Sequence, residues 1–229
     1  MKRIFVFIMA FIVFSTNAYS ENEMVVSEEE AASLYEWEVV DDLVTILDYH
    51  GPSVVVLPAK IGKHKVTRIE GFAFFMKDIT SISLPNTITS IGQSAFTWNY
   101  INEVIIPDSV RSIGDAAFAN NRIHKIILGK NIANINESVF RQNYCTEISI
   151  PENVKTIREA AFIQMDSIKG SLNDPIPWVL RSIKIGESVT IEAYALPDDF
   201  LETYNACGKG AGEYLLNNDG TWQLKKEEK

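Results

Sequence analysis

The sequence has few of the side chains on which active sites and metal sites are usually built. Its 229 residues include two cysteines, Cys145 and Cys207, and three histidines, His50, His64 and His124. None of the histidines has a second histidine or a cysteine nearby at the spacing of zinc ligands. No phosphate-binding loop or nucleophile elbow is present either. The sequence therefore predicts no catalytic residues, no metal site and no cofactor, and it argues against an enzyme.

Basic side chains are scarce relative to acidic ones. The chain has 21 lysines and arginines against 30 aspartates and glutamates, a formal charge of −9 at pH 7. Without Lys2 and Arg3 the count is 19 against 30, which gives −11. Such a surface repels nucleic acid and anionic lipid at long range. We therefore expect no nucleic-acid partner.

Long apolar runs are missing except at the N-terminus. Two basic residues there precede an unbroken run of eleven apolar residues, 4–14. This run is shorter than the roughly 20 residues that span a bilayer. Ala18 and Ser20 occupy the −3 and −1 positions of a cleavage site before Glu21. The pattern predicts a signal peptide over residues 1–20, export, and no integral membrane segment after cleavage.

A repeat of 22 residues fills the middle of the chain. Five phenylalanines, which we expect to form the structural core of the repeat, recur at this interval: Phe74, Phe96, Phe118, Phe140 and Phe162. Branched apolar residues recur at the same interval at four further positions. A period of this length is typical of a solenoid. One coil cannot bury its own apolar side, so neighbouring coils must stack.

Each repeat can be interpreted as one coil. In Ile82-Ser83-Leu84, alternation turns the two apolar side chains inward and the serine outward, as in a short strand. Pro85 then ends the strand, because proline cannot donate to a ladder. Gly129 replaces this proline in one unit but still permits a turn.

The stretches ITSISLPNTITSIGQSAF (residues 79–96) and INEVIIPDSVRSIGDAAF (residues 101–118) resemble the BspA-like leucine-rich-repeat family of bacterial surface proteins. The resemblance covers roughly residues 37–191. It implies a mainly β solenoid with parallel stacked strands and short turns or 3-10 segments. It also implies binding to host proteins or other cells.

The spacing divides the chain into four parts. They are a signal peptide (1–20), an N-terminal cap with a first irregular coil (21–57), the leucine-rich-repeat solenoid (58–191) and a C-terminal cap (192–229). Two stretches exceed the regular spacing and are expected to project as loops, at 58–66 and 163–179.

The C-terminal cap is expected to contain a short helix and a hairpin. The helix should cover residues 198–207, with Asp198 or Asp199 as its N-cap. The hairpin should turn at Asn218-Asp219-Gly220. This module resembles one found in spirochaete members of the family, and its expected role is to cover the open end of the solenoid.

Two further repeat positions carry polar or reactive groups. Cys145 shares the inward apolar position of Ile123, so we expect it to be buried and not bonded to Cys207. Three asparagines keep the 22-residue interval and predict a ladder that hydrogen-bonds the turn backbone: Asn99, Asn121 and Asn143.

The outward side chains of the stacked strands are the candidate ligand surface, and we expect them to form one continuous sheet face. Ile105 and Ile127 are outward apolar residues on adjoining coils. We name as the strand surface Ser81, Ser83, Glu103, Ile105, Lys125, Ile127, Glu147 and Ser149. Trp178, in the insertion, is a second candidate. The alternative is that these cross-strand pairs only stabilise the sheet.

Two functions remain open. One is an exported adhesion module, secreted or at the cell surface, that binds a host or neighbouring-cell protein. The other is a periplasmic or envelope structural module that binds a partner from its own cell. The sequence contains nothing that separates them.

Overall fold

A computed structural model of the chain describes residues 24–163 and 180–225. The expected signal peptide, the end of the C-terminal cap (226–229) and residues 164–179 of the insertion, with Trp178, lie outside the described residues.

The N-terminal part forms a short helix and a hairpin. Its elements are β1 (Val25–Val26), α1 (Glu28–Ala32), β2 (Tyr35–Val40) and β3 (Leu43–Tyr49). A capping box between Ser27 and Glu30 begins α1. The strands β2 and β3 pair antiparallel and are connected by a turn at Asp41 and Asp42, which both have positive φ.

The segment 58–66 differs from the projecting loop that the spacing predicts. It contains β5 (Lys60–Ile61) and the start of β6 (His64–Ile69), which pair antiparallel around Gly62 at φ 58°. Strand β5 also pairs with β1, and Ile61 is fully buried. The extra residues are held in the sheet because Ile61 adds an apolar side chain to the core.

The repeats form a solenoid in which each coil contributes one strand to each of two rows. The first strand row consists of β4 (Val54–Val56), β7 (Ser81–Ser83), β9 (Glu103–Ile105), β11 (Lys125–Ile127), β13 (Glu147–Ser149) and β15 (Ser182–Ile185). The second strand row consists of the end of β6, β8 (Ser90–Ile91), β10 (Ser112–Ile113), β12 (Asn134–Ile135), β14 (Thr156–Ile157) and β16 (Thr190–Ile191). Pairing within the rows is parallel, and in the regular repeats each residue faces the one 22 positions away.

The structure places the five periodic phenylalanines in one buried column. Successive ring centroids are 4.8, 5.1, 5.7 and 5.5 Å apart, and the ring planes are within 20° of parallel. Two tyrosines extend this column, although the 22-residue interval does not reveal them. Tyr49 lies 5.0 Å from Phe74, and Tyr35 lies 5.3 Å from Tyr49. The column therefore joins the N-terminal hairpin to the repeats.

The asparagine ladder is confirmed. The Asn121 amide donates to the carbonyls of Phe96 and Phe118, and its Oδ1 accepts from the N–H of Ile101. Asn99 and Asn143 make the corresponding bonds in their own coils. All three side chains are buried, so each satisfies turn backbone groups that water cannot reach.

The C-terminal part covers the last coil. Its elements are α2 (Asp198–Ala206), β17 (Gly212–Leu216) and β18 (Trp222–Leu224). Strand β17 pairs antiparallel with β15, and β18 with β17. The hydroxyl of Tyr204, on α2, donates to the Gly186 carbonyl and accepts from the Val189 N–H. Helix and hairpin are thus both attached to the final coil.

The N-cap of α2 differs from the expectation. Pro197 occupies it, without a side-chain cap hydrogen bond. Asp198 is already the first residue of the helix. The Asp199 carboxylate accepts a hydrogen bond from the N–H of the adjacent Phe200 instead of capping the helix.

Candidate functional site

The strand surface is formed by the outward residues of the first strand row. On β9 and β11, Val104 and Ile126 turn inward, whereas Ile105 and Ile127 remain 54% and 44% exposed. The two exposed isoleucines are direct partners in the parallel pairing of these strands. Two large apolar side chains therefore lie side by side in water on a rigid backbone.

Charged side chains border this apolar pair. Lys125 is the register partner of Glu103 and forms an ion pair with it. Both side chains are substantially exposed, so the pair adds little to stability. Glu147 follows on the next coil and is exposed. The centre of the strand surface is thus apolar with a polar border.

The strand surface is not the single continuous sheet that the repeat predicts. Within the described ranges, β4 pairs with β7, β9 with β11, and β13 with β15, whose other edge pairs with β17 of the cap hairpin. The coils of β7 and β9 are instead joined just before these strands, at the corner of the coil, where the Tyr100 N–H donates to the Ile79 carbonyl. Strands of three residues offer few ladder bonds, so corner bonds can replace them.

The predicted residues consequently fall into three groups. Ser81 and Ser83 face Val54 and Val56 across β4 and β7. Glu103, Ile105, Lys125 and Ile127 lie together on β9 and β11. Glu147 and Ser149 face Ser182 and Lys184. Trp178 lies outside the described residues.

A second exposed apolar surface was missed by the sequence reasoning. Phe72, Met76 and Trp98 are exposed on the turns of two neighbouring coils, and each has a positive φ. Neighbouring coils carry Ala116, Asn120 or Gln142 at the equivalent positions, also at positive φ. The sequence signal for this surface is therefore a large apolar residue at a turn position where other repeats have a small or polar one.

The cysteines occupy different environments. Cys145 is buried, and its Sγ contacts the Ile123 carbonyl at 3.2 Å. Burial raises the pKa of the Cys145 thiol to about 12, so it stays protonated and unreactive at neutral pH. Cys207 is exposed, and no disulfide joins the two cysteines.

One group of potential metal ligands lies away from the strand surface. Within residues 24–163 and 180–225, the side chains of Glu36, Asp48 and His50 come together on the N-terminal hairpin. A helix with the length and apolar character of a membrane span is absent from residues 24–163 and 180–225.

Comparison with known proteins identifies the repeats. Residues 67–175 match the BspA type leucine rich repeat region in six copies. No functionally curated protein matches the chain.

Several solved structures are similar to the chain. A leucine-rich repeat protein from Bacteroides ovatus is 20% identical, with a TM-score of 0.46 over 70% of this chain and 54% of that one. A leucine rich cell surface protein from Faecalibacterium prausnitzii is 20% identical, with a TM-score of 0.34 over 83% and 59%. The T. pallidum leucine rich repeat protein is 16% identical, with a TM-score of 0.37 over 77% and 94%. The chain thus spans less than two thirds of the length of the Bacteroides ovatus and Faecalibacterium prausnitzii proteins. The chain therefore carries a leucine-rich-repeat region of the BspA type, in six matched copies over residues 67–175.

Proposed function

We propose that the chain is exported and acts as a protein-binding module in adhesion, and not as an enzyme. The single observation that carries the proposal is the pair Ile105 and Ile127, exposed on adjoining strands of a rigid array. Leucine-rich-repeat proteins typically bind proteins, and an apolar centre with a polar border is the usual anatomy of a protein interface.

The physical gain comes from covering the isoleucines. Full burial of an isoleucine side chain stabilises by about 1.5–3 kcal/mol. Since Ile105 and Ile127 are each about half exposed, a partner that covers both recovers about 2 kcal/mol. The ion pair between Lys125 and Glu103 then orients the partner more than it strengthens binding.

The site is tested by the double variant Ile105→Asp with Ile127→Asp. Both side chains point away from the core, so we expect the fold to persist, with a lower melting temperature because the two aspartates face each other on paired strands. Binding to intact epithelial cells and to immobilised extracellular-matrix proteins should be lost. A matched control, Ala133→Asp with Asn134→Asp, adds the same charge to two exposed residues at the start of β12, Ala133 directly before the strand and Asn134 in it, and should bind normally. Full binding by the first variant, or none by the native chain, overturns the proposal.

The alternative function is a periplasmic or envelope module with a partner from its own cell. Protease treatment of intact cells separates the two. Digestion of the chain without lysis supports the adhesion module, and protection until lysis supports the alternative.

A further inference from the structure

We infer that Glu36, Asp48 and His50 form a binding site for one divalent transition-metal ion of the zinc type. Each of the three side chains offers one ligand atom, and these atoms all lie within 4.8 Å of one another. His50 Nε2 is 3.2 Å from the glutamate oxygen and 3.6 Å from the aspartate oxygen.

These distances fit a shared ion. Zinc binds histidine nitrogen and carboxylate oxygen at about 2.0–2.2 Å in a tetrahedral arrangement, which sets neighbouring ligand atoms about 3.3–3.5 Å apart. The two histidine contacts fall on either side of this range. Little rearrangement is therefore needed to receive the ion.

The backbone places Glu36 and Asp48 on the paired strands β2 and β3, and His50 directly after β3. Glu36 on β2 is the register partner of Asp48 on β3. His50 follows Asp48 by two residues, so its side chain leaves the strand on the same side. The His50 N–H donates to the Leu34 carbonyl at 2.8 Å and continues the pairing. Tyr35 and Tyr49, each adjacent to a ligand in sequence, are buried in the aromatic column.

Asp48 is also oriented by groups that leave one oxygen available. Its Oδ1 accepts hydrogen bonds from Lys77 Nζ at 2.8 Å and from the Tyr49 N–H at 2.7 Å. Its other oxygen, Oδ2, lies 3.6 Å from His50 Nε2. Such outer contacts fix the ligands of many metal sites.

The donor set indicates the class of ion. One imidazole nitrogen with two carboxylate oxygens suits Zn²⁺ and neighbouring divalent transition metals, whereas Mg²⁺ and Ca²⁺ prefer oxygen ligands alone. The histidine and glutamate side chains are both more than half exposed, so the ion can enter from solvent. A fourth position stays open to water, as in zinc sites with three protein ligands.

The sequence conceals this site because its partners are far apart along the chain. No second histidine or cysteine lies near His50 in the sequence, and the glutamate that it contacts, Glu36, is 14 residues away. Only the antiparallel pairing of β2 with β3 brings Glu36 beside it.

Calorimetric titration of Zn²⁺ into the untagged, metal-stripped chain tests the site. We expect one ion to bind, and an excess of Mg²⁺ to leave this binding unchanged. His50→Gln and Glu36→Gln should each weaken it at least about tenfold, which even the loss of an outer contact achieves. His64→Gln and His124→Gln are the matched controls, since each removes a histidine from another place, and both should bind Zn²⁺ normally.

A second measurement uses the native chain, so it does not depend on the folding of a variant. The ring resonances of His50 should shift on addition of one equivalent of Zn²⁺, while those of His124 stay in place. Native binding no tighter than that of His50→Gln overturns the inference and leaves His50 as an ion-pair partner of the two carboxylates. Ring shifts confined to His64 or His124 overturn it as well.

Discussion

Oδ1 of Asn121 accepts a hydrogen bond from the N–H of Ile101 at 3.1 Å, although the two residues are 20 positions apart. The bond joins one coil to the next inside the core, where both residues are buried. The solenoid is therefore held by a polar ladder as well as by apolar stacking.

Asn121→Ala should destabilise the chain by about 2–3 kcal/mol, because it leaves buried backbone groups unsatisfied. Asn131→Ala is the control. Its amide donates to the Asp108 carbonyl at 2.7 Å but is exposed, so its loss should cost about 0.5 kcal/mol. Urea denaturation of both variants measures the difference. Equal losses would show that the ladder has no special role.

Phe118→Ala should lower the free energy of unfolding by about 3–5 kcal/mol. The ring is fully buried between Phe96 and Phe140, so its removal opens a cavity in the middle of the column. The exposed Phe72 provides the control, since Phe72→Ala should cost less than about 1 kcal/mol. Thermal or urea unfolding that gives a loss below about 1 kcal/mol for Phe118→Ala contradicts the column.

Gly129→Ala should destabilise the chain by about 1–3 kcal/mol. A Cβ at this position would lie 2.3 Å from the Pro107 carbonyl oxygen, so backbone must move. Gly186 occupies the equivalent repeat position, but its Cβ would meet nothing closer than 3.6 Å. Gly186→Ala should therefore be tolerated, and a shift in melting temperature for both variants alike would refute the distinction.

Thiol labelling should separate the two cysteines. At pH 8 the Cys145 thiol stays protonated, because burial raises its pKa to about 12, and it should react slowly. Cys207 is exposed and should react at once with Ellman's reagent, which detects one thiol in the native chain and two in denaturant. Two fast thiols in the native chain would contradict the burial of Cys145.

The sequence by itself determined the repeating core. Each of the five phenylalanines, and each asparagine of the ladder, follows from a 22-residue interval, because identical coils that stack must place identical side chains in register. The outward direction of Ile105 and Ile127 follows equally, since side chains alternate along a strand.

Only the tertiary structure decided the features that break the interval. Segment 58–66 forms a hairpin because β1 supplies a pairing partner for β5. The residues of the segment do not themselves indicate this partner. Tyr49 joined the phenylalanine column, and Glu36 came beside His50, through the pairing of β2 with β3. Interval reasoning cannot find such neighbours, because strand pairing joins residues whose separation depends on the length of the turn between them.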